Sequence, residues 1–158
     1  MMLLYTPYIA GPVGNPELLV DPGFDDASKW SPPGGVTITS SQAQWRTAGS
    51  FSTFWTGSGA ANLATLNGGS AIGAATDYEW AVTVENFTGG GNYQCQVTFY
   101  DASFAAINTP SNNLNINGTG TFTTTLTAPS NAAYAAWRAK PFSADYVMDW
   151  SDASLKAA

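Results

Sequence analysis

Histidine is absent from the 158 residues. With it go the commonest general base, the partner that activates a serine nucleophile and the standard ligands of a catalytic zinc. Cysteine occurs once, at position 95. No intramolecular disulfide can form, and Cys95, set in an alternating apolar pattern without an activating neighbour, reads as a small buried hydrophobe. Charge is scarce, at 10% of residues, and the only cations are Lys29, Arg46, Arg138, Lys140 and Lys156. Against eleven acids they leave a net charge of −6, so no basic patch exists to neutralise phosphates and nucleic acid is excluded as a partner. Nor is any apolar run long enough to span a bilayer, so no membrane insertion is expected.

What remains suits strands. Hydrophobic residues make up 44% of the chain, with abundant Gly, Ser, Thr and Asn, and the length is that of one domain with a real core. Tyr78, Trp80, Val82 and Val84 alternate with Glu79, Ala81 and Thr83, giving one core face and one wet face. In 93–100, Tyr93, Cys95, Val97 and Phe99 alternate with Gln94, Gln96, Thr98 and Tyr100, and Gly89-Gly90-Gly91-Asn92 reads as a hairpin loop joining these two strands. Phe122, Thr124 and Leu126 form an apolar stripe opposite a ladder of Thr121, Thr123, Thr125 and Thr127. Further strands are predicted near 17–21, 36–39, 42–46, 51–55, 61–66, 114–117, 132–139 and 146–156, and no segment has a helical period. The expected fold is all-β, a single antiparallel β-sandwich.

Residues 1–14 differ. Pro7 and Pro12 with Gly11 and Gly14 forbid a helix or long strand, so the segment reads as an extended arm. Leu3, Leu4, Tyr5, Tyr8 and Ile9 are costly to leave in water, and they are the expected anchors to a partner. The segment lacks the basic start and unbroken apolar run of a signal peptide.

Two motifs carry a resemblance: Asn15-Pro16-Glu17-Leu18-Leu19-Val20-Asp21-Pro22-Gly23-Phe24-Asp25, and Val147-Met148-Asp149-Trp150-Ser151-Asp152-Ala153-Ser154-Leu155-Lys156. They resemble the first and last strands of galactose-binding-like jelly rolls, the fold of family 4 and 9 carbohydrate-binding modules. The segments 60–66, 77–86 and 118–129 fall between them in the order such modules use. The resemblance implies a jelly roll over 15–158 with adjacent terminal strands. It also implies a structural calcium held by Asp25 and Asp152, with carbonyls and Asp26 or Asp149 completing the shell.

Six tryptophans are the remaining signal. Trp30 and Trp80 read as core, whereas Trp45, Trp55 and Trp137 are surface candidates for stacking on a sugar, with Gln94, Gln96, Tyr100 and Arg138 as polar and aromatic companions. Catalysis would rest on carboxylates, which suffice for a glycosidase pair, but the acids stand mostly singly and no enzyme is expected. A module suited to extracellular glycans, starting at its own methionine without an export signal, points to the surface of a virus particle. The expected function is a non-enzymatic virion protein of a tailed phage, made in the host cytoplasm: a capsid decoration or head-fibre-type protein held by its arm to other virion proteins, and able to form a homo-oligomer. The alternatives are a free carbohydrate-binding module or a tail-fibre receptor-binding domain, and a small carboxylate-dependent glycan hydrolase.

Overall fold

The computed structural model describes residues 15–19, 21–30, 35–39, 41–47, 54–55, 70–89, 93–107, 113–141 and 146–158. The arm anchors Leu3, Leu4, Tyr5, Tyr8 and Ile9 and the expected strand 61–66 lie outside these residues. Eleven strands are described: β1 (Val36–Thr39), β2 (Gln42–Thr47), β3 (Phe54–Trp55), β4 (Ser70–Ala71), β5 (Asp77–Thr88), β6 (Tyr93–Tyr100), β7 (Ala106–Ile107), β8 (Asn113–Ile116), β9 (Gly120–Thr127), β10 (Tyr134–Pro141) and β11 (Tyr146–Ala157). A single 3₁₀ turn, Ala27–Lys29, is capped by the Asp26 side chain.

The strands form an all-β sandwich of two antiparallel sheets. One has the order β1-β2-β11-β5-β9; the other has the order β3-β10-β6-β7, with β4 on the β3 side of β10 and β8 on the β7 side of β6. Between them lies one core. Tyr78, Trp80, Val82 and Val84 of β5 and Met148, Trp150, Ala153 and Leu155 of β11 pack with Cys95, Val97 and Phe99 of β6 and Leu114 and Ile116 of β8. The thiol of Cys95 is wholly enclosed, and burial pushes its pKa well above the ordinary range, so it packs and does not react.

The alternating faces of β5 and β6 emerge as read, but the hairpin between them does not. β5 is flanked by β11 and β9, whereas β6 lies in the opposite sheet beside β10. Their apolar faces therefore meet across the core instead of side by side, and the connection after Thr88 crosses from sheet to sheet.

A bulge in β11 decides which acids reach water. Met148 and Trp150 are buried, and strict alternation would send Asp152 inward after them. The register against β5 shifts between Trp150 and Asp152, so Ala153 and Leu155 take the inward positions and Asp152 is exposed.

The two end motifs meet, although residues 17–19 and 21 of the expected first strand are irregular. β2 covers one edge of β11 only over Tyr146–Trp150. Beyond that, the opening segment takes over: Leu18 donates to the Leu155 carbonyl and Ala153 to the Pro22 carbonyl, both at 2.9 Å. Glu17 adds a clamp, its carboxylate accepting from Leu155 N–H and from the Ser154 hydroxyl. Pro16 and Pro22 lack the N–H groups a continuous ladder needs, which is why the pairing is intermittent.

Asp21 is the hub of the following loop. Only 7% exposed, it accepts from the backbone N–H of Asp25 and Asp26 and from Trp30 Nε1 at 2.7 Å. Phe24, held at φ 58° and fully buried, lies 4.5 Å from the Trp30 ring. Trp30 is thereby the core residue the sequence suggested.

Candidate functional site

The outer face of the six-stranded sheet carries the most chemistry. Cys95, Val97 and Phe99 point into the core, so Gln96, Thr98 and Tyr100 stand on the opposite side of β6. Register then assembles rows across the strands. Trp55, Arg138, Gln96 and Asn113 form one row across β3, β10, β6 and β8, and Lys140, Gln94 and Asn115 form the next. Tyr134 pairs with Tyr100 at the far end of β10. The amides of Gln96 and Asn115 thus share the face with Tyr134.

That far end is built into an aromatic platform. Asp101 closes a tight turn after β6, its Oδ1 accepting from the Ser103 N–H at 2.9 Å, the Ser103 hydroxyl at 2.7 Å and the Ala105 N–H at 3.0 Å. The turn puts Phe104 at φ 64°, a left-handed conformation that a bulky L residue adopts at a cost of about 1–2 kcal/mol. In return the Phe104 ring stacks on Tyr134, with centroids 4.6 Å apart and planes 19° from parallel. Beneath the pair lie Tyr100, 8% exposed, and Ala136, fully buried, forming a small apolar cluster outside the sandwich core. The Ser103 hydroxyl and then the Ala105 N–H hold the Asp101 carboxyl below its ordinary value of 3.8, so the turn is built around a carboxylate.

Several sequence expectations meet on this face and others do not. Gln96 stands on it, and Trp55, Gln94 and Arg138 hold register positions in its two rows. Tyr100 is on the correct side but buried, a support for Phe104 and Tyr134 and not an exposed contact. Trp137 pairs in register with the buried Val97, one position along β10 from Arg138.

Trp45 is a correction. It is fully buried in β2 of the other sheet, 5.1 Å from the Trp150 ring, because it alternates with the polar positions Gln42, Gln44 and Arg46. Its neighbour Arg46 forms an ion pair with Asp149 on the outside of that sheet, with Asn86 donating to the second carboxylate oxygen.

Phe104 and Tyr134 were not singled out in the sequence. The signal for Phe104 was Asp101-Ala102-Ser103, an Asx-turn pattern that folds the following residue back. Tyr134 could have been found by stepping back in twos from Arg138.

Asp25 and Asp152 belong to no cluster of three or more candidate ligands among the described residues. Asp25 accepts from the Ser41 hydroxyl at 2.7 Å. The Asp152 carboxyl, exposed at its edge but partly desolvated by the surrounding backbone, is pushed up from its ordinary value, first by that desolvation and then by the nearby Glu17 charge. Oxygen-loving calcium would therefore depend on backbone carbonyls for much of its shell.

No family model matches the chain, and no curated protein does. Solved structures do. Tailspike protein 4 of bacteriophage CBA120, enzymatically active domain, matches with a TM-score of 0.62 at 13% identity over 90% of this chain. The chain spans only 21% of that tailspike. A Clostridium thermocellum endo-1,4-beta-D-xylanase, holding CBM22-1 and GH10 modules with xylohexaose, matches with a TM-score of 0.54 at 12% identity over 90% of this chain and 28% of that one. The N-terminal cellulose-binding domain of Cellulomonas fimi beta-1,4-glucanase C matches nearly end to end, covering 94% of this chain and 98% of that one, with a TM-score of 0.56 and 16% identity. At such identities the likeness is one of fold. The architecture is a β-sandwich like that of carbohydrate-binding modules.

Proposed function

We propose that this domain binds carbohydrate without cleaving it, on the outer face of the six-stranded sheet. The observation that carries the reading is the Phe104–Tyr134 stack, held in place by a strained turn on the same sheet face as the amides of Gln96 and Asn115. A flat aromatic surface takes the apolar face of a pyranose ring, and Gln96 and Asn115, roughly 13 Å or more along the sheet, supply amides for the hydroxyls of other sugars in the same glycan chain. Asp101 is the carboxylate that the described residues place beside this face, and it is occupied by three donors, which leaves no free acid and base pair there. The fold likeness to a cellulose-binding domain and to a xylanase's binding module supports the same reading. Asp25 and Asp152 serve it by holding a structural calcium, with no role in chemistry.

Affinity electrophoresis in gels containing soluble xylan or hydroxyethylcellulose tests it. A shallow face gives dissociation constants near the millimolar range, about −4 kcal/mol. Retarded migration that is lost in Phe104→Ala is expected. Migration unchanged in every polysaccharide, or sugar released on long incubation, overturns the assignment.

The tailspike likeness favours a second, finer reading, in which the domain is displayed on a tailed-phage particle and attached through residues 1–14. Deleting those residues is expected to abolish attachment to particles while the sandwich stays folded. Normal occupancy by the truncated protein would place attachment on the sandwich.

A further inference from the structure

The edges of the two sheets are not treated alike. β3, β4 and β7 are two residues long and β1 and β8 four, and such shortness is a common defence against unwanted strand pairing. β9 is different. It runs for eight residues at the end of the five-stranded sheet and, among the described residues, pairs only with β5, through eight consecutive partners with no register shift. Gly120-Thr121-Phe122-Thr123-Thr124-Thr125-Leu126-Thr127 contains no charge and no proline. Among the described residues nothing pairs with its other side, which presents a straight row of N–H and C=O groups without the charges, prolines or bulges that usually guard an edge.

The sequence of this edge is also complementary to itself. Residues directly opposite in an antiparallel pair lie on the same side of the sheet. A two-fold axis through Thr124 sets Thr121 against Thr127 and Thr123 against Thr125 on the outer side, where all four are exposed. On the inner side it sets the half-buried Phe122 against Leu126. Threonine meets threonine, and the uncovered part of Phe122 meets an apolar side chain. Moving the axis to Thr123 would instead pair Phe122 with Thr124. The chain carries a net charge of −6, which repels a second copy from most approaches, but β9 itself carries none, the nearest acids, Asp77 and Glu79, lying one strand in on β5.

We propose that β9 is a homodimer interface, in which two copies join antiparallel about Thr124 into one continuous sheet. The partner is a second copy of this chain because the edge fits itself in that register.

The test is the full chain carrying Thr124→Cys. Opposed Cα atoms in an antiparallel pair lie about 4.5–5.5 Å apart, within disulfide reach. The native Cys95 is buried and does not compete. Mild oxidation is expected to yield a linked dimer from Thr124→Cys, but none from Thr121→Cys, which faces Thr127 and not itself. Unmodified protein should sediment with twice the chain mass at high concentration. Thr123→Lys/Thr125→Lys, which sets lysines against each other across the axis, should return it to monomer with its melting transition retained. Wild-type protein that stays monomeric at every concentration overturns the interface. So does a dimer indifferent to the paired lysines, or preferential linking through Thr121→Cys.

Discussion

Phe104 offers a way to separate strain from contact. At φ 64° the residue sits where glycine is at ease and any side chain with a Cβ is penalised by about 1–2 kcal/mol. Phe104→Ala keeps that penalty and discards the ring. The loss is the stacking, about 0.5–1.5 kcal/mol, plus the apolar area of a half-buried side chain, about 1 kcal/mol. Phe104→Gly discards the same ring and relieves the strain, offset in part by the greater freedom of glycine in the unfolded chain. The glycine variant is thus expected to be about 1 kcal/mol more stable than the alanine variant, or about 2–4 °C in melting temperature for a chain of this size. Both variants should lose retention on polysaccharide to the same extent, because neither has the ring. Urea denaturation and affinity electrophoresis on the same preparations give the two readouts. An alanine variant as stable as the glycine variant would remove the strained turn from the argument. Binding retained by both would remove the ring from the site.

Asp21→Ala should be the most damaging polar substitution in the opening loop, costing about 3–5 kcal/mol by leaving three donors, including the buried Trp30 indole, without their acceptor; chemical denaturation checks it, and a cost below about 1 kcal/mol would show that the hub is dispensable. Because hydrogen bonds depress the Asp101 pKa in the folded state, the turn is supported above the ordinary carboxylate value and loses that support as pH falls through the lower folded value. Polysaccharide retention should accordingly persist from neutral pH past the ordinary carboxylate value and fall only as pH passes through the lower folded value, and Asp101→Asn should flatten this acid limb. Calcium should raise the melting temperature of the wild type relative to chelator, by relieving the Asp152 carboxylate, and should do so less in Asp152→Asn. Identical melting curves with and without calcium would dispose of the ion.

Local periodicity was legible in the chain, and long-range partnership was not. The alternation in Tyr78 to Val84 and in Cys95 to Phe99 has period two and needs only neighbouring residues to be seen. That β5 pairs with β11 and β9, and never with β6, depends on which edges are already occupied, and no local pattern records it. The bulge near Ser151 is likewise visible only against its partner strand. Trp45 is a different case, since Ala43 and Trp45 alternate cleanly with Gln42, Gln44 and Arg46, and parity alone assigns it to the core. The rows on the six-stranded sheet were half legible, because alternation assigns Gln96 its face while its register with Arg138 and Asn113 comes from long-range pairing. Phe104 was hidden because its position depends on a backbone angle set by a carboxylate three residues earlier.

The candidate sugar face and the β9 edge bear on each other. An axis through Thr124 that keeps inner residues opposite inner residues runs perpendicular to the joined sheet, so both copies keep the same side up. The outer faces of the two six-stranded sheets then point the same way. Two weak sites aimed at one surface act together on an extended or immobilised glycan but independently on a short soluble one, and the gain can reach about 10²-fold or more when geometry permits. Thr123→Lys/Thr125→Lys leaves the aromatic platform untouched, since its residues lie on the opposite sheet. The variant should therefore bind a soluble xylo-oligosaccharide as the wild type does, while its retention on insoluble xylan falls at least tenfold. Calorimetry and a depletion assay measure the two affinities. Equal losses in both would mean that the lysines disturb the site itself, and no loss in either would mean that the two faces do not act together.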